Sequence, residues 1–200
     1  MAWPEIAMTL VLASASPRRA ELLRVLGLTF ETRPADLDET RLPDEPAAGY
    51  VERLARAKAK AVVGEGVTVV AADTTVVHEG RVLGKPAHPE EARAMLRRLQ
   101  GDVHEVFTGV AVAGWDGGSV LRSAVDVAKV EFLAMTDDEI AEYVDTGEPM
   151  DKAGSYALQG LGGLFVRRID GSPFTVIGLP IHLLPRLFAA VGADLWAFQA

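Results

Sequence analysis

A run of β-branched and small residues occupies positions 67–77, with the sequence VTVVAADTTVV. This composition predicts a buried β-strand, and the following HEGRVL turns the chain back as a hairpin through Glu79 and Gly80. Asp73 lies inside this strand and shares one face with Val69 under the two-residue period of a strand. A carboxylate buried there needs a cation, a metal ion or the edge of a cleft, because burying it alone is costly. Asp73 is therefore a candidate general base, and the structural alternative is an aspartate that caps a turn.

Helices and strands alternate on both sides of this strand. Ser16 before Pro17, with Gly27 afterwards, predicts a helix, and Thr136 with Glu139 predicts a capping box at the start of another. The other predicted elements are strands at 8–13, 105–113, 119–132, 164–169 and 174–178, a GWDGG turn at 114–118, and helices at 47–63, 88–100 and 180–191, the last bent at Pro185. Because later strands follow tight turns, the pattern predicts an α/β protein with a mixed sheet. No linker or repeat interrupts the chain, so we expect residues 1–200 to form a single domain.

The composition excludes several classes of protein. The chain has 200 residues, 49% of them hydrophobic and 24% charged, which is typical of a globular protein. Cysteine is absent, which excludes thiol catalysis, disulfide scaffolds and cysteine-based zinc sites. A net charge of −8 argues against broad nucleic-acid binding, although not against a small anion in a local basic pocket. No apolar run approaches the ~20 residues of a membrane span. The opening MAWPE lacks the basic residues of an export signal, so we expect no membrane association and a cytoplasmic location.

Two arginines occupy an unfavourable position at the start of the first predicted helix. Arg18 and Arg19 fall in its first turn, where the helix dipole disfavours cations and free backbone N–H groups attract anions. Together with the hydroxyls of Ser14 and Ser16, they would suit a phosphate chain docked against this turn. The alternative is a solvated basic pair on the surface.

Two lysines also stand out. Lys58 lies four residues after Leu54 and three after Ala55, so it falls on the apolar stripe of its helix and must reach water or meet an anion. Lys85 lies between Gly84 and Pro86 in a constrained turn that is not a P-loop. Metal-binding histidine spacings, nucleophile elbows and Ser-x-x-Lys pairs are absent from the sequence. The remaining cations and carboxylates suit a polyphosphate and a hard metal ion.

Several segments of the chain occur together in a recognisable order. They are LASASPRRAELL (12–23), RLARAKA (53–59), AADTTVV (71–77), LGKP (83–86), YVDTGEPMDKAGSYALQGLGGLFVRRIDGS (143–172) and VIGLP (176–180). This order resembles that of the Maf family of nucleoside triphosphate pyrophosphatases. The resemblance implies an elongated, twisted mixed sheet flanked by helices, with a nucleotide-binding cleft between two lobes as in Maf and ITPase proteins. It also implies hydrolysis of the α–β phosphoanhydride, which yields a nucleoside monophosphate and pyrophosphate.

The resemblance assigns roles to individual residues. Asp73 matches the family's catalytic acid, which accepts a proton from the attacking water, and Glu39 matches an acidic position linked to the metal and to catalysis. The positions that match phosphate-contacting residues are Ser14, Arg18, Arg19, Lys58 and Lys85, of which the two lysines are also expected to take part in catalysis. Carboxylate ligands favour Mg²⁺ or Mn²⁺ as the cofactor. The family also implies a homodimer.

Three positions distinguish subgroups of the family by base preference. Arg18, Thr74 and Gln159 match the subgroup that acts on dTTP, UTP and related pyrimidine triphosphates. A subgroup directed at 7-methyl-GTP has Trp, Gln and Glu at the matching places. A glutamine amide offers a donor and an acceptor, which suits the imide edge of uracil or thymine. The resemblance therefore implies a dTTP/UTP pyrophosphatase with a role in nucleotide-pool sanitation and cell-division arrest. The alternatives are a pyrophosphatase for 7-methyl-GTP or purine triphosphates and a nucleotide-binding regulator of septum formation.

Overall fold

The computed structural model describes residues 8–115 and 118–200. Its strands are β1 (Thr9–Leu12), β2 (Glu31–Thr32), β3 (Val67–His78), β4 (Arg81–Leu83), β5 (Val103–Trp115), β6 (Ser119–Phe132) and β7 (Val166–Asp170). Its α-helices are α1 (Pro17–Val25), α2 (Ala47–Val62), α3 (Pro89–Leu99), α4 (Asp137–Asp145), α5 (Pro173–Ile177) and α6 (Leu184–Ala190). The first residues of the N-terminal segment and Asp116–Gly117 of the predicted GWDGG turn lie outside the described residues.

The described strands form a mixed sheet, which confirms the predicted α/β fold. The strand order is β2-β1-β3-β5-β6-β7, and β4 pairs with β3. β1 runs parallel to both β2 and β3, whereas the β3–β4 and β6–β7 pairs are antiparallel. The β3–β4 hairpin turns at Glu79 and Gly80, as predicted from the HEGRVL segment. Within the described residues, every helix is too short or too polar to span a membrane.

The chain divides into two compact units, of which the first contains residues up to 73, 109–125 and 179–200. Here α2 packs against strands through small side chains. The buried cluster consists of Val11, Ala13, Ala55, Ala59, Val69, Ala71, Ala111 and Ala113. Gly109 is required where α2 approaches β5, because a Cβ atom at this position would lie 2.4 Å from the carbonyl oxygen of Val51. The helix therefore lies unusually close to the strand backbone.

The second unit contains residues 74–108 and 126–178. Its core is formed by α3, α4 and the strand segments of this unit, around buried side chains that include Leu96, Phe132 and Ile140. The predicted capping box is confirmed, because the Thr136 side chain accepts from Glu139 N while the Glu139 carboxylate accepts from Thr136 N. That residues 1–200 act as a single domain stays a prediction.

Two predictions near the end of the chain are wrong. Residues 174–178 were expected to form a strand because of Thr175 and its β-branched neighbours, but they belong to α5 and its C-cap. Pro173 occupies the first turn, and Gly178 ends the helix in the left-handed region at a φ of 111°. These local stop and start signals outweigh the β-propensity of the residues between them.

The last predicted helix is divided into two pieces. Ile181–Leu183 form a 3-10 helix, and α6 follows directly with Pro185 in its first turn. Pro185 was expected to bend a continuous helix. Because a residue in the first turn needs no intrahelical N–H bond, proline is accommodated there without disturbing the helix that follows.

His104 is a buried titratable group in the core of the second unit. Its side chain contacts the rings of Phe132 and Tyr156 edge-on, and its Nε2 atom lies 2.8 Å from the Tyr156 hydroxyl oxygen. Its Nδ1 atom has no hydrogen-bond partner among the described residues. Burial, and to a smaller extent the nearby His78, lower the pKa of His104 from 6.5 to about 4, and Asp102 partly opposes both effects. The folded protein therefore keeps this imidazole neutral at pH values where the unfolded chain protonates it.

We predict that His104 makes folding stability fall between about pH 6.5 and pH 4. In this window the unfolded chain binds a proton that the folded protein does not bind, so the free energy of unfolding decreases as the pH falls. Near pH 5 the loss attributable to His104 is about 2 kcal/mol. Urea unfolding of the wild type and of His104→Gln at about pH 7.5 and pH 5 measures it. The variant should lose less stability on acidification, and equal losses would contradict the prediction.

Candidate active site

The parallel pairing of β1 with β3 brings two predicted site segments to the same edge of the sheet. Leu12 pairs with Val70, and Ala13 N donates to the Val70 carbonyl at 2.8 Å. β1 ends there, whereas β3 continues. Ser14, which follows β1, and Asp73, which lies further along β3, therefore both come just beyond the last paired residues, at the carboxyl end of this strand pair.

The turn between β1 and α1 is organised around the Ser14 hydroxyl. Ser14 Oγ accepts from Ser16 N at 3.2 Å and from Arg19 Nη1 at 3.1 Å. Ser16 occupies the N-cap position of α1, but its side chain makes no capping hydrogen bond. The first turn contains no acidic residue, and both Arg18 and Arg19 are half-buried. This end of α1 therefore combines backbone N–H groups with two guanidinium groups, an arrangement that favours a bound anion.

Lys58 connects α2 to two carboxylates. Its side chain is on the buried face of the helix, as the apolar stripe predicted, and only 7% of the residue is exposed. Lys58 Nζ lies 2.7 Å from Asp73 Oδ1 and 2.6 Å from Glu39 Oε1. The sequence left open whether Lys58 reaches water or meets an anion, and in the structure it meets two carboxylates.

Asp73 is equally buried, with 7% of the residue exposed. Burial raises the pKa of Asp73 above its usual value, although the charge and hydrogen bond of Lys58 and the charge of Arg19 partly oppose this rise. A carboxylate with a raised pKa holds an abstracted proton more strongly than an exposed aspartate does. Asp73 thus combines a fixed orientation with the basicity that proton transfer from water requires.

Glu39 is exposed, and its position depends on contacts of the loop that contains it. The Tyr50 hydroxyl donates to the Glu39 carbonyl at 3.0 Å, and Arg53 donates to the Thr40 carbonyl at 3.1 Å. Arg53 also binds both carboxylate oxygens of Glu45, at 2.6 Å and 2.8 Å. This pairing lowers the pKa of Glu45 to about 2.

The contribution of Tyr50, Arg53 and Glu45 to the Glu39 loop was not predicted from the sequence. These residues carry no catalytic motif. The available signal was an acidic, proline-containing segment directly before a helix with Tyr50 and Arg53 in its first two turns. That signal indicates a loop folded back on the helix, but it does not identify the pairs.

The remaining predicted residues belong to the second unit. Lys85 is exposed in the segment between β4 and α3, where the neighbouring Gly84 carbonyl accepts from Gly154 N at 3.1 Å. Thr74 is half-buried, and its hydroxyl oxygen lies 2.9 Å from that of Thr108. Gln159 is exposed in the loop that precedes a 3-10 helix at Leu161–Phe165.

The structure thus brings Ser14 and Arg19 into contact, and it brings Lys58 into contact with Asp73 and Glu39. A mixed α/β sheet that carries such cations beside a buried carboxylate defines a protein suited to a phosphate-bearing ligand. The chain belongs to the Maf family, because the profile described as Maf-like protein matches residues 9–191.

Two proteins of similar sequence support this assignment. The chain is 52% identical over 191 residues to a protein of Anaeromyxobacter dehalogenans (strain 2CP-C) named dTTP/UTP pyrophosphatase, covering 95% of this chain and 97% of that protein. It is 50% identical over 194 residues to a Moorella thermoacetica (strain ATCC 39073 / JCM 9320) protein of the same name, covering 94% and 97%. Among solved structures, a HAM1 protein from Coxiella burnetii is 20% identical with a TM-score of 0.40, over 62% of this chain and 73% of that one.

We predict that Lys58→Met destabilises the fold near neutral pH by about 3 kcal/mol, because it leaves the Asp73 carboxylate buried without its cation. Lys60→Met is the matched control, since Lys60 is exposed on the same helix. Urea unfolding of both variants measures the difference. Adding Asp73→Asn to Lys58→Met should recover part of the loss. The prediction is wrong if Lys58→Met and Lys60→Met have equal stability.

Proposed function

We propose that this protein hydrolyses dTTP and UTP to the nucleoside monophosphate and pyrophosphate. The proposal is supported by two relatives of that name, which are 50% and 52% identical over nearly their whole length. The structural observation that carries it is the buried Lys58–Asp73 pair, in which a carboxylate with a raised pKa is held in place on β3, just beyond the end of its pairing with β1.

Asp73 has the properties needed to activate water. The oxygen of a water molecule attacks the α-phosphorus, the bond to the α–β bridging oxygen breaks, and pyrophosphate leaves. The proton lost by water passes to the Asp73 carboxylate, so Asp73 must be ionised before the step. The charge of Lys58 favours the ionised form of the carboxylate, while burial raises its pKa and makes it a better proton acceptor.

Cations of the chain offset the charge of the triphosphate, which otherwise repels the carboxylate and the negative charge that develops on the attacking oxygen. We assign this role to Arg18, Arg19, Lys58 and Lys85, with the hydroxyls of Ser14 and Ser16 as further phosphate-binding groups. Preorganised donors of this kind stabilise charge that develops on the leaving group. The Ser14–Arg19 hydrogen bond supports the assignment, because it holds one guanidinium group in place before a ligand binds.

Base recognition is assigned to Thr74 and Gln159 together with Arg18. The Gln159 side chain is exposed, which leaves its amide available to a ligand. An amide donor and acceptor complement the carbonyl oxygen and N–H group on the imide edge of uracil and thymine. Modified pyrimidines that retain this edge are expected to be substrates as well.

Asp73 and Glu39 are the residues that would hold a divalent cation. Their carboxylates converge on one ammonium group, so both lie within a few ångströms of a common point. In the described part of the chain no three or more His, Asp and Glu side chains form a metal site by themselves. Two carboxylates fit Mg²⁺ or Mn²⁺, since Mg²⁺ typically takes one or two carboxylates and completes its shell with water and substrate phosphates. When bound, the cation would offset phosphate charge and polarise the phosphoryl oxygens.

The homodimer, the cytoplasmic location and the roles in nucleotide-pool sanitation and cell-division arrest stay predictions that rest on the family resemblance.

We predict pyrophosphate release from dTTP and UTP in a panel that also contains CTP, GTP and 7-methyl-GTP. Asp73→Asn should reduce turnover by at least about 100-fold, because general-base catalysis contributes factors of this size, while nucleotide binding persists. Release is measured by a coupled pyrophosphate assay, and binding by calorimetry. Preference for GTP or 7-methyl-GTP would contradict the assigned base recognition. Binding without turnover in the wild type would favour a regulator over an enzyme.

We also predict that chelation abolishes turnover and that Mg²⁺ or Mn²⁺ restores it. Glu39→Gln should raise the metal concentration needed for half-maximal activity, because the site loses one anionic ligand. Asp38→Asn, at a neighbouring exposed carboxylate, is the control and should leave this concentration unchanged. Full activity in the presence of excess chelator would overturn the metal assignment.

A further inference from the structure

The loop that carries Gln159 is fixed on both sides by one pair of residues in the second unit. On its N-terminal side, Ala157 N donates to the Tyr143 hydroxyl oxygen at 3.3 Å. On its C-terminal side, Leu161 N and Gly162 N donate to the Glu148 carboxylate, each at 3.0 Å. Gln159 is therefore at the tip of a short segment whose two ends are held in place.

Tyr143 and Glu148 are themselves joined. The Tyr143 hydroxyl donates to Glu148 Oε1 at 2.8 Å, so the two anchors form one continuous hydrogen-bonded unit. Tyr143 is buried on α4, with only 4% of the residue exposed. The Glu148 backbone is tied to the end of the same helix, because Thr146 Oγ1 accepts from Glu148 N at 3.2 Å and donates to the Tyr143 carbonyl at 2.6 Å. These bonds fix the position of the loop relative to α4.

Two glycines in the loop fit closely against these anchors. A Cβ atom at Gly160 would lie 2.5 Å from Glu148 Oε2, and one at Gly162 would lie 2.5 Å from the Tyr143 hydroxyl oxygen. Any larger residue would displace the anchor or the loop. The glycine-rich sequence around Gln159 is therefore explained by close approach to this pair, which the proposed catalytic chemistry does not use.

We propose that Tyr143 and Glu148 are positioning residues that set the base selectivity of the enzyme by fixing Gln159. The inference rests on the proposed function, in which Gln159 contacts the pyrimidine. A side chain that discriminates bases by hydrogen bonds does so only while its backbone is held within a fraction of an ångström. Loosening the loop weakens contacts to the correct base and lets the amide adapt to the wrong one.

The test compares kcat/KM for UTP and CTP in four variants. Gln159→Ala should lower the ratio of kcat/KM for UTP to that for CTP by about tenfold, as expected when a side chain that hydrogen-bonds to the base is lost. Glu148→Gln removes the charge that holds the loop and should lower the ratio by about fivefold, mainly by raising KM for UTP. Tyr143→Phe should act in the same direction. Glu142→Gln removes an exposed carboxylate from the same helix and should leave the ratio unchanged.

A double variant distinguishes positioning from a general structural effect. If Glu148 acts through Gln159, Glu148→Gln combined with Gln159→Ala should have the same ratio as Gln159→Ala alone. A merely destabilised protein would instead lose activity with both nucleotides equally. Should Glu148→Gln fail to fold, Gly160→Ala disturbs the same carboxylate from the loop side and carries the same expectation.

The outcomes separate the inference from the proposed function. An unchanged ratio in Gln159→Ala would overturn the assigned base recognition and the inference with it. A reduced ratio in Gln159→Ala with a wild-type ratio in Glu148→Gln would overturn the positioning role alone. A further fall of the ratio in the double variant would also overturn it, because Glu148 would then act on selectivity independently of Gln159.

Discussion

The Lys58 ammonium and the Asp73 carboxylate meet 2.7 Å apart, and both residues are almost entirely buried. Neither charge is tolerable there without the other, because desolvation costs several kcal/mol for each ion. This requirement fixes the register of the two elements that carry them. A shift of β3 by one residue would turn Asp73 to the opposite face of the sheet, and a shift of α2 by one residue would rotate Lys58 off its buried stripe. The arrangement of helix and strand is therefore specified by charge as well as by apolar packing.

The two ion pairs of Lys58 differ in their environment, and so in what each contributes. Asp73 is shielded from water, whereas nearly half of the Glu39 side chain is exposed. An exposed pair contributes little to stability, so breaking the Lys58–Glu39 pair costs less than breaking the Lys58–Asp73 pair. The cluster can therefore admit a new cation or anion at its outer side while its inner pair stays intact. This combination is compatible with the proposed phosphate binding by a protein whose net charge is −8.

Much of this arrangement could be predicted from the sequence, because it depends on local patterns. The strand around Asp73, the helix that begins after Ser16 and the stripe that includes Lys58 follow from periodicity and capping. The prediction of a strand at 174–178 was wrong because Pro173 and Gly178 delimit a helix that is too short to show a helical period in the sequence. The Arg53–Glu45 pair and the Tyr143–Glu148 anchor depend on how loops fold back onto helices. Such contacts are set by tertiary geometry, for which the sequence carries no periodic signal.

Gly109 has no side chain, yet it sets the distance between α2 and the strand on which the helix packs. The alanines of the buried cluster in the first unit also have small side chains, so α2 packs close to the backbone of the sheet. A single methyl group at this position would lift the helix and, with it, the base of the Lys58 side chain. The position of Lys58 relative to Asp73 thus depends on how closely α2 packs against β5. Gly109 takes part in no charge interaction, but adding a methyl group there would disturb the same helix–strand contact that the Lys58–Asp73 pair requires.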